Sequence, residues 1–448
     1  MKQKGLRLAA SLLIIALLSG CAGATKPAEK PAAADSQAAA PAAAPAPAPV
    51  KADLRALWWG NQDRHNLYIK NFEAYSKKFP NVTVQPEFSA WGEYWNKVSV
   101  KVASNDAPDI MQMDLRYLAE YAQRGALLDL TPYMGKELDV SGVDKGLLDA
   151  GKLDGKQYAI CLGGNTLSMM VNKTLLGQAG LSVPKDDWTW SDFEQLGKEF
   201  QAKMGKGYWL ATDQSADVNR FEFWARQQGV PGLWKNGKLT VNESLVTDWY
   251  KMWERYRQEG IVPPADVTQA TGTNFEESLW AKKKAPMSWN WNNEYQRFSS
   301  VVKDEVVMIP YPRSGKAEGH YLKCSLFYSV SSKTKFPKES AQVVSYWIND
   351  PESVKTLGTT AGIPVTKPSI KVLKDAGLTP INAGVFNIFE KISAFAAPAP
   401  EASPKGATEV NSLFQRLSEE VRYGKKTPEQ AAKELVEETN KIIAKANP

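Results

Sequence analysis

The sequence predicts an α/β fold in two domains or lobes, with a mostly parallel sheet flanked by helices. Three observations predict it. The chain has 448 residues, long enough to bury a sizeable core in two units. Apolar residues make up 43% and charged residues 23%, the balance of a soluble globular protein. From about residue 52 onward, short apolar runs alternate with segments of helical periodicity.

The first element is an address. Lys2, Lys4 and Arg7 form a basic region, and Leu8 to Leu18 form an apolar run too short and too early to be a stable membrane span. The run ends in Leu18-Ser19-Gly20-Cys21, which resembles the bacterial lipobox, whose Cys is acylated and becomes the mature N-terminus. Residues 1–20 therefore read as a lipoprotein signal peptide, and Cys21 as the lipidation site. Residues 21 to 50 hold 14 Ala and 6 Pro. Such a segment has too little to bury to offset its ordering entropy, and its prolines keep it extended. Residues 21–51 read as a tether that holds a folded body off a membrane, on its extracytoplasmic face.

The body then opens on Leu54 to Trp59, an apolar strand, with Gly60 to Asp63 as loop and helix start. Tyr68, Phe72, Tyr75 and Phe79 recur at helical spacing until Pro80 stops the helix. Val82 to Phe88 is a second strand, Trp91 to Val102 a helix, Asp109 to Met113 a third strand, and Leu115 to Gln123 a third helix ended by Gly125. This β-α-β-α-β-α order implies parallel pairing. Tyr158 to Cys161 and Leu167 to Val171 are further strands, and Ser191 to Glu194 reads as a capping box. The region from about 175 to 300 is helix-rich and carries ten of the 15 Trp. Val306 to Ile309 and Tyr321 to Val330 return to strand character. Thr427-Pro428-Glu429-Gln430 caps a last helix.

The net charge is +6, and without the first 20 residues it is 52 basic against 49 acidic residues, or +3. That argues against a strongly basic nucleic-acid binder. With only His65 and His320, a multi-histidine metal site or a His-rich catalytic centre is nearly excluded. His65, in the first turn of a helix, reads as a surface residue. No G-x-S-x-G elbow, phosphate loop, H-E-x-x-H or C-x-x-C occurs. Acidic pairs such as Glu276-Glu277 leave a glycoside-cleaving carboxylate pair open, because such groups meet only in space.

The aromatic residues carry more signal. A Trp face suits the apolar face of a pyranose ring, and short amides and carboxylates pair its hydroxyls. Trp249, Trp253, Trp280 and Trp347 sit in apolar helical patterns and read as core. Trp58-Trp59 before Asn61 and Gln62, Trp91 before Gly92, Phe223-Trp224, and Trp289 to Asn293 stand beside polar residues and read as loops. As a set they fit a polyhydroxylated ligand.

Several stretches add a resemblance: Ala56-Leu-Trp-Trp-Gly60, Ala107-Pro-Asp-Ile110, Tyr121 to Leu127, Asp154-Gly-Lys-Gln-Tyr158, Val171-Asn-Lys173, Trp188-Thr-Trp190, Ala285 to Trp289, and Gly424 to Ala431. In this order, after a lipobox and an Ala/Pro tether, the chain resembles the extracellular solute-binding proteins of bacterial ABC sugar importers, the maltose-binding-protein-like family 1. The resemblance implies the two-lobe periplasmic-binding-protein-like fold (type II), with the ligand in the cleft between lobes. It implies a first lobe of 52–163 plus 321–375 and a second of 164–320 plus 376–448. It implies a binding protein and not an enzyme, with no cofactor or metal. Its expected partners are a carbohydrate, read as an oligosaccharide from the number of rings, and the permease subunits of an ABC transporter. A monomer is expected, held to the membrane by its lipid anchor, with no nucleic acid. A surface-anchored glycoside hydrolase or lyase is the alternative, and a structural lipoprotein a third reading.

Carried over by position, the resemblance places Trp59, Asn61, Gln62, Asp63 and Arg64 on one cleft wall, with Asp114 and Arg116 beside them. Asn165 falls at the first lobe crossing, and Trp224, Trp289, Trp291 and Asn293 on the second wall. Trp91 is added from its own setting. Cys161 and Cys324 fall at or near the lobe crossings, either as a disulfide or as two buried thiols; free thiols are favoured, since a bridge there would restrict a hinge. The charge of the ligand stays open: Arg64, Arg116 and Lys323 would suit an acidic sugar, or pair with Asp63 and Asp114.

Overall fold

The computed structural model describes residues 50–270, 275–401 and 403–446. The signal peptide, Cys21 and nearly all of the tether lie outside the described residues. The body opens as β1 (Ala52–Trp59), α1 (Gln62–Lys78), β2 (Val82–Ser89), α2 (Trp91–Ala103), β3 (Ile110–Met113) and α3 (Leu115–Gln123). β1 runs parallel to β2 and β3. Leu54, Ala56, Leu57 and Trp58 are fully buried, because helices cover both faces of a parallel sheet. The α1 stripe Tyr68, Phe72 and Tyr75 packs on Trp347 and Tyr346, with ring centroids 4.7 to 5.1 Å apart.

Beyond β3 the expectation of a mostly parallel arrangement fails. The chain continues through β4 (Ile160–Cys161), β5 (Gly164–Asn165) and β6 (Leu167–Asn172). Next come the helices α4 (Trp190–Met204), α5 (Val218–Gln227) and α6 (Glu243–Gln258). β7 (Met287–Trp291), α7 (Tyr295–Val302), β8 (Val306–Ile309), β9 (Lys323–Cys324) and β10 (Phe327–Val330) follow. The first sheet has the order β2-β1-β3-β10-β4, and β10 lies antiparallel to β3 and β4. The chain has by then visited the second sheet and re-enters the first in the opposite sense. The second sheet, β7-β6-β8, is antiparallel throughout.

The second sheet separates two cores by strict alternation. Leu167, Met169, Val171, Met287, Trp289 and Ile309 face one core with α4, α5 and α6. Met170, Val306 and Met308 face the other, where Phe298 and Phe386 cover them. Phe386 lies on a helix, Pro380–Ser393, that packs on β8 and α7. The two last helices, Ala407–Arg422 and Pro428–Ala446, pack on each other and on α6.

Two caps were legible to different degrees. Thr427 and Gln430 cap the last helix reciprocally, at 3.0 and 3.2 Å. The box expected at Ser191 to Glu194 sits two residues earlier: Thr189 caps α4, and Asp192 returns the bond to the Thr189 N–H at 2.7 Å. A short Asp side chain at the third helical position makes that return bond, and Ser191 is already inside the helix.

The segment of strand character over Tyr321 to Val330 is two short strands, β9 and β10. At the break, Ser325 gives both its N–H and its hydroxyl to the Gly163 carbonyl, each at 2.9 Å. A Cβ on Gly163 would stand 2.0 Å from the Ala361 carbonyl oxygen, so only glycine admits this crossing of backbones. β5 pairs with β9, and Gly164 exchanges hydrogen bonds with Ile363 at 2.7 and 3.0 Å.

Cys161 and Cys324 form a disulfide across this crossing, with Cα atoms 5.7 Å apart, which corrects the expectation of two free thiols. The worry about a locked hinge does not apply. Cys161 lies in β4, paired through Phe327 within the first sheet, and Cys324 enters that sheet three residues later. The bridge therefore staples the crossing to the first sheet and leaves the path to the second sheet unbridged.

Neither histidine is at the surface. His65 is buried, and its Nδ1 accepts from the Trp58 indole N–H at 3.1 Å, because the first turn of α1 packs on the end of β1. His320 is fully buried; its Nε2 accepts the Tyr311 N–H at 3.1 Å, so Nδ1 carries the proton toward Glu318 at 2.6 Å. Burial lowers both pKa values below 6.5, with Arg64 adding to it at His65. A histidine depressed in the folded state contributes stability that is complete above 6.5 and is lost as pH falls through the folded values. The urea midpoint is thus expected to drop as pH falls below about 6.5, and both C2 protons to titrate below the usual histidine value by NMR. A midpoint that stays flat there would refute it.

Candidate functional site

Because β1, β2 and β3 are parallel, their C-terminal ends meet at one sheet edge, where open α/β sheets bind ligands. Trp59, Trp91 and Asp114 follow from those three ends. Trp91 opens α2 and is 37% exposed, the one tryptophan more than a third open among the described residues. Its ring is not loose. It packs edge-on against Trp59 at 5.0 Å and Trp95 at 5.7 Å, and the Arg116 guanidinium lies 5.0 Å above it. Trp95 in turn stacks on Tyr117 at 3.8 Å. The result is an aromatic platform fixed before any ligand arrives.

Asp114 caps α3 by accepting the Arg116 N–H at 3.0 Å, and the Arg116 side chain clasps the same carboxylate at 2.8 and 3.2 Å. Asn61 caps α1 by accepting the Arg64 N–H at 3.0 Å. Arg64 donates to the Thr360 carbonyl at 3.2 Å, and Gln62 to Asn66 at 2.9 Å. Asn61, Gln62 and Asp63 are exposed on the first turn of α1.

The crossing strands bring in Asn165 and Lys323, which stand directly opposite each other in the β5–β9 pair. Opposed residues of an antiparallel pair leave the same face. The Asn165 side-chain amide oxygen, Oδ1, is buried with no hydrogen-bond partner. The Lys323 ammonium lies 4.7 Å from the Trp291 ring centroid, and Tyr321 meets the same ring edge-on at 6.4 Å. Burial holds the Lys323 pKa below the usual lysine range; Asp114 and Glu222 raise it, and Arg116 and Arg220 lower it. Asp114 and Arg116 stand at the start of α3, and Glu222 and Arg220 on α5. Lys323 is thus within electrostatic reach of charged groups on both α3 and α5.

Of the residues expected from sequence, Trp59, Trp91, Asp114 and Arg116 come together at the edge of the first sheet, and Asn165 and Trp291 meet Lys323 at the crossing. Trp224 and Trp289 stand elsewhere. They lie in α5 and β7 instead of loops, and both are buried in the second core. Trp289 stacks on Trp190 at 5.6 Å. Asn293 is exposed on a 3-10 turn, while its neighbour Asn292 is buried and ties β7 to the crossing by accepting the Thr166 N–H at 2.9 Å. Tyr321, Glu222 and Arg220 were not singled out from sequence. The alternation of Tyr321 and Lys323 on a crossing strand was the available signal for the first. Helix α5 looks like core in sequence because its other faces are.

A family model described as bacterial extracellular solute-binding protein matches residues 68–379. The chain belongs to this family. A family 1 extracellular solute-binding protein from Alicyclobacillus acidocaldarius is 28% identical, with a TM-score of 0.78 over 87% of this chain and 98% of that one. A periplasmic oligogalacturonide binding protein from Yersinia enterocolitica has the same TM-score, 0.78, at 21% identity over 88% and 99%. A multiple sugar-binding protein from Streptococcus mutans is 22% identical over 334 residues, 71% of this chain and 75% of its own. The two-lobe fold of these proteins is the fold of this solute-binding protein. Among the described residues no helix is long and apolar enough to cross a membrane.

Proposed function

We propose that the protein captures a carbohydrate, an oligosaccharide of a few units, in the cleft between its lobes and delivers it unchanged to the permease of an ABC transporter. The lobes are 52–163 with 321–375, and 164–320 with 376–448. The single observation that carries the reading is the crossing, where Asn165 stands opposite Lys323 and the Lys323 ammonium lies over the Trp291 ring. A site walled by two lobes favours a closed state, because only that state offers both walls to the ligand. Lipidation at Cys21 would keep the protein, as a monomer, at the outer face of the membrane. The names of the Yersinia and Streptococcus relatives, an oligogalacturonide and a multiple sugar binder, support the same ligand class.

Intrinsic tryptophan fluorescence and melting temperature against a panel of mono- and oligosaccharides test this. A saturable response to one sugar class is expected, with the sugar recovered intact. At a hundred times its Kd, a ligand adds about 2.7 kcal/mol of stability. Product accumulating over hours would overturn the reading in favour of an enzyme.

A further inference from the structure

We propose that the bound carbohydrate carries a carboxylate, as a uronic acid does, and that Lys323 is the residue that reads it. This rests on the carbohydrate reading above and narrows it. Lys323 is half-buried at the crossing and makes no ion pair among the described residues. Neither nearby carboxylate forms a contact ion pair with it. Asp114 is held by Arg116 through two side-chain bonds and by the α3 N-terminus. Glu222 accepts the Leu233 N–H at 2.9 Å, and burial raises its pKa. The nearby cation Arg220 is likewise spent, on Asp217 and the Trp289 carbonyl, each at 2.7 Å.

A half-buried ammonium without a contact ion pair is costly, and closure of the lobes would desolvate it further. The Trp291 face holds the ammonium in place but does not neutralise it. A sugar hydroxyl would accept a bond from Lys323 and leave the charge. A carboxylate both accepts the bond and cancels the charge, and such charge-assisted bonds are the strong ones. One lysine fits one monoanionic group, and the adjacent ring faces fit the pyranose that bears it.

The test is calorimetry on the full-length chain with matched pairs: uronate di- and trisaccharides, such as digalacturonic acid, against their methyl esters. The acid form is expected to bind at least tenfold more tightly, with an affinity that falls as salt rises. In Lys323→Met the ratio of acid to ester affinity is expected to fall to near one. Lys323→Arg retains the preference and guards against a misfolded Met variant. Esters that bind as tightly as acids overturn the acidic ligand and leave the carbohydrate reading standing. A Met variant that weakens both forms equally overturns the role of Lys323. Absence of binding by acids, esters and neutral sugars alike overturns the carbohydrate reading and this one with it.

Discussion

Replacing Cys161 and Cys324 together by alanine is expected to lower stability by about 2–5 kcal/mol. The bridge joins residues 163 apart in sequence, so it closes a long loop in the unfolded chain. The chain-entropy relation gives roughly 5 kcal/mol for such a loop, near the top of the usual range. Both sulfurs are buried, so the alanine variant loses a little packing as well. The check is urea unfolding of wild type and variant without reductant, and of wild type with it. Reduced wild type should track the variant. A peptide map without reductant should hold the 161–324 linked pair. A stability difference below about 1 kcal/mol would mean that the close pairing at Gly163 and Gly164 already holds the crossing without help. Because the bridge lies on the first-sheet side of the crossing, ligand affinity should change little in the variant.

Trp91→Ala carries the second large effect, on binding. A rigid aromatic anchor in an interface contributes about 2 kcal/mol or more on truncation, which corresponds to a loss near thirtyfold in affinity. Trp91 qualifies because its ring is open while Trp59, Trp95 and Arg116 fix its orientation. Since the ring is partly exposed, its removal should leave the urea midpoint close to wild type. Trp91→Phe, which keeps a smaller face, should recover part of the affinity. A Trp91→Ala protein that binds its sugar as wild type does would remove this platform from the site. Trp289→Ala makes the useful contrast. That ring is 2% exposed in the second core, and its loss is expected to cost roughly 3–5 kcal/mol of stability.

Parts of this molecule could be read from local chemistry alone. Tyr68, Phe72 and Tyr75 had to face one way on a helix, and Pro80 had to end it. The strands before and after were short, apolar and parallel by order, so the meeting of Trp59, Trp91 and Asp114 at one sheet edge followed from topology. The Thr427 cap followed from four residues. Other parts had no local signature. Trp224 and Trp289 share composition with Trp91, and only their packing, against Trp249 and against Trp190, places them in the second core. His65 was misread because a first-turn residue is exposed on an isolated helix and buried when that turn rests on β1.

By itself the sequence determined the α/β class, the order of the first six elements and the residue types that a sugar-like ligand needs. Each of these depends on near neighbours in the chain, where periodicity and turn chemistry act. Tertiary structure alone decided the antiparallel return of β10, the disulfide at the crossing and the seating of Lys323 over Trp291. All three join residues far apart in sequence, and which pairs meet depends on how the whole chain closes on itself.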